Sequence, residues 1–387
     1  MPPPLHGVRI LDLSTGIAGP YAARLMADYG AEVIAVRPPA ARLRAAQLAP
    51  LDLDLTLGKR AITLDVTQAA GRALLLQLVR SADAMVESFR PGVLDAWRLS
   101  YDDLLPQRSD LVLLSITPFG QTGPYRNDDA TEIMLAAMGS EMYATGSPAR
   151  EPLSLPAGLS LRYAGLTAAA VLAAVLLGRQ RTGRGEHIDV AIFEVLAASI
   201  DRRADGLVSY AYCGEKTLRA SPEESTFPRP YNRCRDGYVA LLVPVSHWTR
   251  FAGIIDAPWM SAAGITGVGK DPELRRRAAA HWDAWCSSRS KEEITLVMQR
   301  AGIACAPVNR MREIDGDRHL RQRGFFREVL HADRGAVRYA GPPFKLAPCC
   351  GVAPRAVQSA SQDNAAVYGE LGLSADELHS LHSQGVV

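Results

Sequence analysis

Four acidic side chains cluster near the middle of the chain. Asp128, Asp129 and Glu132 fall within one short segment after Tyr125, and Glu141 follows. Carboxylates held beside a substrate can act as acids, bases or nucleophiles. They can also cap a helix, because a carboxylate accepts hydrogen bonds from the free N–H groups of the first turn. Two interpretations are therefore open: acid/base chemistry by Asp129 and Glu132, or a helix after Tyr125 that Asp128 or Asp129 caps.

Other common site chemistries find little support in the residue patterns. Residues 14–19 read Ser-Thr-Gly-Ile-Ala-Gly, which is not the GxGxxG pattern of dinucleotide sites, and no GxxxxGK[ST] phosphate loop is present. The six cysteines are scattered without a CxxC pair or clustered histidines. This spacing argues against a zinc site and against a disulfide framework, so we expect no metal and reduced thiols. His187 precedes an apolar segment and is interpreted as a core or turn residue.

The bulk composition bounds the class of protein. The chain has 387 residues, of which 48% are hydrophobic, and its formal net charge is +2. Such a length favours two or more domains, and the balanced charge predicts no binding to nucleic acid or to an anionic membrane. The most apolar stretch, Ala164–Gly178, is shorter than the roughly 20 residues that span a bilayer. Residues 1–5 carry no signal-peptide pattern. We expect a cytoplasmic protein whose partners are small molecules or other chains.

Short apolar strands alternate with helical patterns through the first 220 residues. A strand at 7–13, a helix from Tyr21 that ends at Gly30 and a strand at 31–36 form a β-α-β unit. The alternation continues with helices near 69–80, after Pro91, at about 163–181 and from about 193, and with strands at 82–86, 111–116 and 187–190. Strands separated by helices predict an α/β fold with a doubly wound parallel sheet.

The second half of the chain predicts a smaller domain and a returning segment. Residues 221–231 are rich in Ser, Pro and Arg and are interpreted as a linker. Residues 232–325 would form a smaller α+β domain that opens with a hairpin around Asp236-Gly237 and continues in helices around 248–255 and 272–287. Residues 326–387 would follow as extended segments and a last helix at 363–371.

Several sequence motifs resemble those of one family, the family III CoA-transferases, which include formyl-CoA and carnitine-CoA transferases and α-methylacyl-CoA racemase. The motifs span most of the chain and occur in the family's usual order. They are Gly7-Val8-Arg9-Ile10-Leu11-Asp12-Leu13 with Ala18-Gly19-Pro20, Gly58-Lys59-Arg60-Ala61-Ile62-Thr63-Leu64-Asp65, Phe89-Arg90-Pro91-Gly92-Val93-Leu94, Thr117-Pro118-Phe119-Gly120-Gln121-Thr122-Gly123-Pro124-Tyr125, Arg181-Thr182-Gly183-Arg184-Gly185 and Arg323-Gly324-Phe325-Phe326.

The resemblance implies a Rossmann-like large domain, a small domain, and two chains that interlock as a dimer. The large domain of the family binds coenzyme A or acyl-CoA as substrate. The ligand lies near the first strand-helix turn and near the motif that begins at Ser88 in this sequence. Backbone N–H groups of turns and arginine side chains suit phosphates. The positions that match this site are Ile17, Ala18, Arg37, Ser88, Phe89 and Arg90.

The resemblance also places the family's nucleophile, and this sequence departs from it there. Family transferases use an aspartate that attacks the acyl-CoA thioester and forms a mixed anhydride. The matching position here is Leu161, with Ser160 and Arg162 on either side. In the racemase branch a histidine and an aspartate work as a pair, and these match Ala130 and about Ser160. Residues 152–175 contain no Asp, Glu or His.

Three functions follow as hypotheses. The chain is favoured as one subunit of a CoA-transferase, in a heterodimer whose paralogous partner supplies the aspartate; a homodimer stays open. Alternatively, Asp129 and Glu132 serve a different reaction of a thioester, such as isomerisation, elimination, condensation or cyclisation. The third hypothesis is a non-catalytic protein that binds an acyl-CoA, a carboxylic acid or a protein partner.

Overall fold

The computed structural model describes residues 1–39, 50–147, 150–198, 202–214, 227–346 and 355–387. These residues form two compact units. The first falls within Met1–Thr145, Leu153–Thr217 and Gly324–Val387, and the second within Gly146–Pro152 and Leu218–Arg323. The domain boundaries given by the sequence stay predictions, and the predicted linker lies outside the described residues as far as residue 226.

A six-stranded, wholly parallel sheet is the centre of the first unit. Its spatial order is β3-β2-β1-β4-β5-β6. The strands are β1 (Arg9–Asp12), β2 (Glu32–Arg37), β3 (Arg60–Thr63), β4 (Ala84–Glu87), β5 (Val112–Thr117) and β6 (His187–Ala191). The predicted doubly wound α/β fold is confirmed. The strand order reverses between β1 and β4, which is where sheets of this kind bind ligands.

Helices cover both faces of this sheet. They are α1 (Ala18–Asp28), α2 (Pro50–Thr56), α3 (Ala69–Arg80), α4 (Val93–Ala96), α5 (Tyr101–Leu104), α6 (Glu132–Met138), α7 (Glu141–Ala144), α8 (Leu159–Thr182), α9 (Ile192–Ala197) and α10 (Arg202–Cys213). One core joins Ile10 of the sheet to Met26 of α1 and Leu172 of α8. The core on the other face joins Leu11 to Leu75 of α3. Strands buried on both faces explain why the sequence shows continuous apolar runs there.

Helix α8 begins four residues before the predicted start at Tyr163 and is longer than the apolar stretch suggested. By length and composition alone, it is the one helix among the described residues that could cross a membrane. Its core-facing residues include Ala164, Ala168 and Leu172, which are buried in the first unit. Gly165 lies so close to α1 that a Cβ there would overlap the Ala18 carbonyl oxygen. The absence of a side chain at residue 165 therefore sets how closely α8 packs against α1.

The last part of the chain packs onto the first unit. Strands β10 (Phe326–His331) and β11 (Gly335–Ala340) form an antiparallel pair, as the extended pattern predicts. The predicted last helix is present as Asn364–Glu370, and a further helix, Ala375–Ser383, was not predicted. Tyr368 is fully buried in the core beside α3 and donates a hydrogen bond to the Thr63 carbonyl oxygen at 2.6 Å.

The second unit contains a three-stranded antiparallel sheet and a set of helices. Strands β7 (Tyr231–Cys234) and β8 (Gly237–Leu242) form the predicted hairpin, and β9 (Ala304–Pro307) pairs with β8. The helices include Trp248–Ile254, Pro258–Lys270, Pro272–Ser287 and Lys291–Arg300. Phe251 and Trp282 pack edge to face in the core, with ring centroids 5.1 Å apart. The thiols of residues 213, 234, 286 and 305 are free, while Cys349 and Cys350 lie outside the described residues.

Candidate functional site

Two turns meet where the strand order of the sheet reverses. One follows β1 and leads into α1, so that the segment 14–20 includes the first three residues of that helix; the other follows β4 and begins at Ser88. The Thr15 N–H donates to Ser88 Oγ at 2.8 Å, and Ser88 Oγ lies 3.2 Å from the Thr15 carbonyl oxygen, to which it can donate. These hydrogen bonds bring together the two segments to which the sequence assigned CoA.

The side chains predicted to line the CoA site differ in exposure. Ile17 is the half-buried residue before α1, and Ala18 is buried at the first position of that helix. Phe89 is half-buried and packs edge to face on Trp97, with ring centroids 5.0 Å apart. Arg90 is exposed and forms an ion pair with Asp129. The structure thus joins a predicted phosphate ligand to a predicted catalytic carboxylate.

Arg37 is engaged with the end of β1. Its guanidinium donates to the carbonyl oxygens of Asp12 at 3.1 Å and Val36 at 3.2 Å, and Nη2 lies 3.4 Å from Asp12 Oδ2. Lys59, which precedes β3, donates to the same carboxylate oxygen at 2.7 Å. The sequence did not single out Asp12 and Lys59 as a pair, although Asp12 interrupts an otherwise apolar segment. A charged residue in such a place signals a buried partner.

The charges on this pair follow from their surroundings. Burial alone would raise the pKa of Asp12, but the positive charges of Lys59 and Arg37 outweigh that effect and lower it to about 2. Burial lowers the pKa of Lys59 to about 8 against the opposing influence of Asp12. At neutral pH, the pair is therefore a carboxylate and an ammonium.

The acidic cluster does not cap a helix in the way the sequence suggested. Helix α6 begins at Glu132 and is preceded by Thr131, so Asp128 and Asp129 do not cap it and that interpretation is wrong. The chain first turns at Tyr125, whose carbonyl oxygen accepts the Asp128 N–H at 2.8 Å. This turn delays the start of the helix and leaves Asp128 and Asp129 exposed.

Glu132 caps a different helix. Its carboxylate accepts the N–H groups of Gly158 at 2.6 Å, Ser160 at 3.0 Å and Leu161 at 3.4 Å, all at the beginning of α8. A carboxylate at this end of a helix satisfies free donors and interacts favourably with the helix dipole. The Glu132 carboxylate thus lies beside the backbone of Leu161, the residue matched to the family nucleophile.

A second carboxylate is buried against the first turn of α8. Glu141 accepts the Ser160 hydroxyl at 2.8 Å and the Leu155 N–H at 3.4 Å. Both Glu141 and Ser160 are buried. Ser160 is therefore bound by two carboxylates, through its N–H and through its hydroxyl. No local pattern in the sequence predicts this contact, because Ser160 and Glu141 belong to different helices.

Position 161 itself carries an apolar side chain. Leu161 is half-buried and packs against the core. The turn after β1 lies close to this helix end, since a Cβ on Gly158 would be 3.4 Å from Ile17 Cδ1. One turn therefore contacts both Ser88, on the side of the predicted CoA site, and the beginning of α8.

A small polar cavity lies beside the turn that begins at Ser88. It has a volume of about 260 Å³, and Glu87, Arg90, Ser115 and His187 are among its lining residues. Ser115 Oγ is 2.9 Å from His187 Nε2, and its hydroxyl also hydrogen-bonds Glu87. The Glu87 carboxylate accepts the Phe89 N–H at 2.7 Å, and burial raises the pKa of Glu87. Glu87 thus links the cavity to the backbone of the predicted CoA site.

A doubly wound parallel sheet with a polar site at its switch point defines the class of protein as an α/β protein of Rossmann-like architecture. Within that class, the chain belongs to the CoA-transferase family III, whose model matches residues 5–357. Among the described residues, no group of three or more His, Cys, Asp or Glu side chains could hold a metal ion.

Individual relatives are similar over nearly the whole chain. A formyl-CoA:oxalate CoA-transferase of Streptomyces avermitilis is 30% identical, with 99% of each chain covered. The BbsE subunit of the succinyl-CoA:(R)-benzylsuccinate CoA-transferase of Thauera aromatica is 28% identical, covering 98% of this chain and 97% of that protein. The crystal structure of a CAIB/BAIF family protein from Brucella suis shares the fold, with a TM-score of 0.84 at 24% identity over 96% of this chain and 100% of that one.

Proposed function

We propose that this protein transfers CoA between carboxylic acids as one subunit of a complex in which a paralogous chain supplies the nucleophilic aspartate. The observation that carries the proposal is the beginning of α8. The resemblance matches Leu161 to the nucleophile position, and Glu132 already accepts the N–H groups of residues 158, 160 and 161. We therefore propose that this chain keeps the family scaffold and lacks the side chain that forms the anhydride.

Similarity to enzymes built from more than one kind of subunit supports the proposal. BbsE is named as a subunit, and succinyl-CoA–L-malate CoA-transferase of Chloroflexus aurantiacus has an alpha and a beta subunit. The beta subunit is 30% identical, covering 83% of this chain and 82% of the relative. Chains similar to this one therefore work in complexes of unlike subunits, and an interlocked pair of paralogues is the arrangement that we propose.

Exposed apolar side chains on the first unit also support a partner. Leu166 and Leu177 on α8 are about half exposed, as are Leu207, Val208 and Tyr210 on α10. Leu207, Val208 and Tyr210 lie within four residues of one helix, and a group of exposed apolar side chains as close as this is typical of a surface that another chain covers. We propose that a paralogous chain covers them, within a cytoplasmic complex.

In the proposed reaction, the partner's aspartate attacks the thioester carbonyl carbon of the donor acyl-CoA. The C–S bond breaks, CoA thiolate leaves, and a mixed anhydride forms. The thiolate then attacks the aspartyl carbonyl, which releases the donor acid and leaves CoA on the enzyme. A second acid takes the CoA by the reverse steps. The residues of this chain would bind CoA through the turns at 14–20 and 88–90.

The first test combines native mass spectrometry with calorimetric titration of CoA and acetyl-CoA, on the chain expressed alone and on the complex captured from its source cells. Micromolar binding of CoA and a co-purifying paralogue that carries the aspartate are expected. A homodimer in both preparations with no affinity for CoA would reject the proposal. Arg90→Gln, a change at a predicted phosphate ligand, should weaken CoA binding, whereas Arg235→Gln on the second unit should not.

The position of Glu132 favours a second candidate, in which this chain transfers CoA without a paralogue. Its carboxylate lies within hydrogen-bonding distance of the Leu161 N–H, so it is a carboxylate beside the residue matched to the nucleophile. In that case the chain alone would exchange CoA between succinyl-CoA and a second acid. Glu132→Gln would abolish the exchange while the protein stays folded, and Asp129→Asn would not. Absence of exchange by the chain alone would reject this candidate.

A further inference from the structure

A buried ammonium connects the two ends of the turn at residues 14–20. Lys59 is completely buried, and its Nζ donates to the Pro20 carbonyl oxygen at 2.8 Å and to Asp12 Oδ2 at 2.7 Å. Pro20 is the third residue of α1 and the last of the segment 14–20, and Asp12 is the last residue of the strand before that segment. One side chain from outside the turn therefore contacts both of its flanks.

The other oxygen of Asp12 holds the beginning of the turn. Oδ1 accepts the Ser14 N–H at 3.0 Å and also the Ser14 hydroxyl. Through Asp12, the ammonium of Lys59 is thus connected to Ser14 as well as to Pro20. Each of these groups is buried, so water cannot replace a lost partner without entering the core.

Close packing leaves the turn little freedom to adjust. A Cβ on Gly19 would overlap the Cβ and Oγ of Ser14, which shows that the two ends of the turn touch. Between them, the exposed Thr15 binds Ser88, and Ile17 faces Gly158 at the beginning of α8. The conformation of this turn therefore decides how the predicted CoA segment lies against the nucleophile position.

We propose that Lys59 is a positioning residue for the CoA site: its ammonium fixes the turn at 14–20 and thereby orients Ile17 and Ala18 toward the bound thioester. The inference rests on the proposed binding of CoA and goes beyond it, because it assigns a role to a side chain that cannot touch the ligand. Arg37 completes the cluster from the solvent side, where it donates to the Asp12 carbonyl oxygen.

The second unit offers a matched control. Lys291 is also buried, and its Nζ also donates to a carboxylate, Glu313 at 2.8 Å, and to a carbonyl oxygen, that of Val308 at 3.3 Å. Lys291→Met removes the same kind of interaction as Lys59→Met, but in the core of the second unit. Comparison of the two variants separates a positioning role from the general cost of losing a buried ion pair.

The experiment measures hydrogen exchange of residues 13–20 and calorimetric CoA affinity in the wild type, Lys59→Met, the double variant Asp12→Asn/Lys59→Met, and Lys291→Met. The double variant leaves no unpaired buried charge, so it keeps the test valid where Lys59→Met alone fails to fold. In both Lys59 variants, exchange at 13–20 should rise relative to that at 112–117, and CoA affinity should fall by about tenfold or more. Lys291→Met should keep wild-type values of both.

Unchanged exchange at 13–20 in a folded Lys59 variant would overturn the inference, and so would an equal loss of CoA affinity in Lys291→Met. Failure of the wild type to bind CoA is a separate outcome that rejects the proposed function and, with it, the role of Lys59 in CoA binding. The exchange data would still show in that case whether Lys59 fixes the turn.

Discussion

The carboxylate of Glu132 and the backbone N–H of Leu161 are hydrogen-bonded at 3.4 Å. Glu132 begins one helix and Leu161 lies in the first turn of another, so the contact joins α6 to α8. It also places a carboxylate beside the residue that matches the family's nucleophile. The three N–H groups that donate to Glu132 fix the position of its carboxylate, which suits a structural cap.

Loss of this cap should destabilise the protein. Glu132→Ala leaves three N–H groups at the beginning of α8 without their acceptor, so we expect the free energy of unfolding to fall by about 1–2 kcal/mol. Urea denaturation followed by circular dichroism measures the change. Asp129→Asn is the control, because Asp129 is exposed and its variant should keep the wild-type midpoint. Equal midpoints for Glu132→Ala and the wild type would contradict the capping role.

The same substitution at two glycines of α8 should have opposite effects on the stability of the protein. Gly165→Ala places a Cβ against the Ala18 carbonyl oxygen, so we expect a loss of about 1–3 kcal/mol. In Gly178→Ala the new Cβ would have no other atom within 4 Å, so the change should stabilise the helix by about 0.5–1 kcal/mol. Thermal unfolding of both variants checks the pair. A stable Gly165→Ala protein would show that α8 and α1 are not packed as closely as described.

Acid should remove the stabilisation that Asp12 provides. Its folded pKa of about 2 lies below the ordinary value of 3.8, so the contribution is complete above about pH 4 and is lost as the pH falls toward 2. The shift corresponds to about 2 kcal/mol. Urea unfolding at a series of pH values should show this fall in the wild type and a smaller one in Asp12→Asn/Lys59→Met. Parallel pH curves for the two proteins would contradict the assignment.

The hydrogen bonds between Thr15 and Ser88 should matter for ligand binding. Ser88→Ala removes the acceptor of the Thr15 N–H and the donor to its carbonyl oxygen, which should weaken CoA binding by about three- to tenfold. Calorimetric titration measures the affinity. Ser287→Ala, at the end of a helix of the second unit, is the control and should bind CoA like the wild type. Unaltered affinity in Ser88→Ala would separate this contact from the CoA site.

Local patterns predicted most of the sheet and its helices. Apolar strands buried on both faces are visible as continuous runs, and helix Pro272–Ser287 and the hairpin at Asp236-Gly237 carry their own start and turn signals. Strand β3 was not predicted as a strand because Arg60 and Thr63 interrupt its short apolar run. Helix α5 is a single turn, which is too short to show a helical period.

The site was harder to predict, because its contacts join residues far apart in the chain. The family motifs indicated that Ser88 and the turn after β1 belong to the CoA site, and the structure brings these two segments together. Nothing in the local sequence of Glu132 shows that it caps a helix beginning 27 residues later, and the pairing of Lys59 with Asp12 depends on the order of the strands. Such contacts follow from the tertiary fold and cannot be read from a window of sequence.

The most direct test of the central claim is to map the acylated carboxylate. The complex is incubated with succinyl-CoA and an acceptor acid and quenched with hydroxylamine, which converts an activated carboxylate into a hydroxamate that peptide mass spectrometry locates. We expect a hydroxamate on an aspartate of the paralogous partner and none on this chain. A hydroxamate on Glu132 of this chain would contradict it.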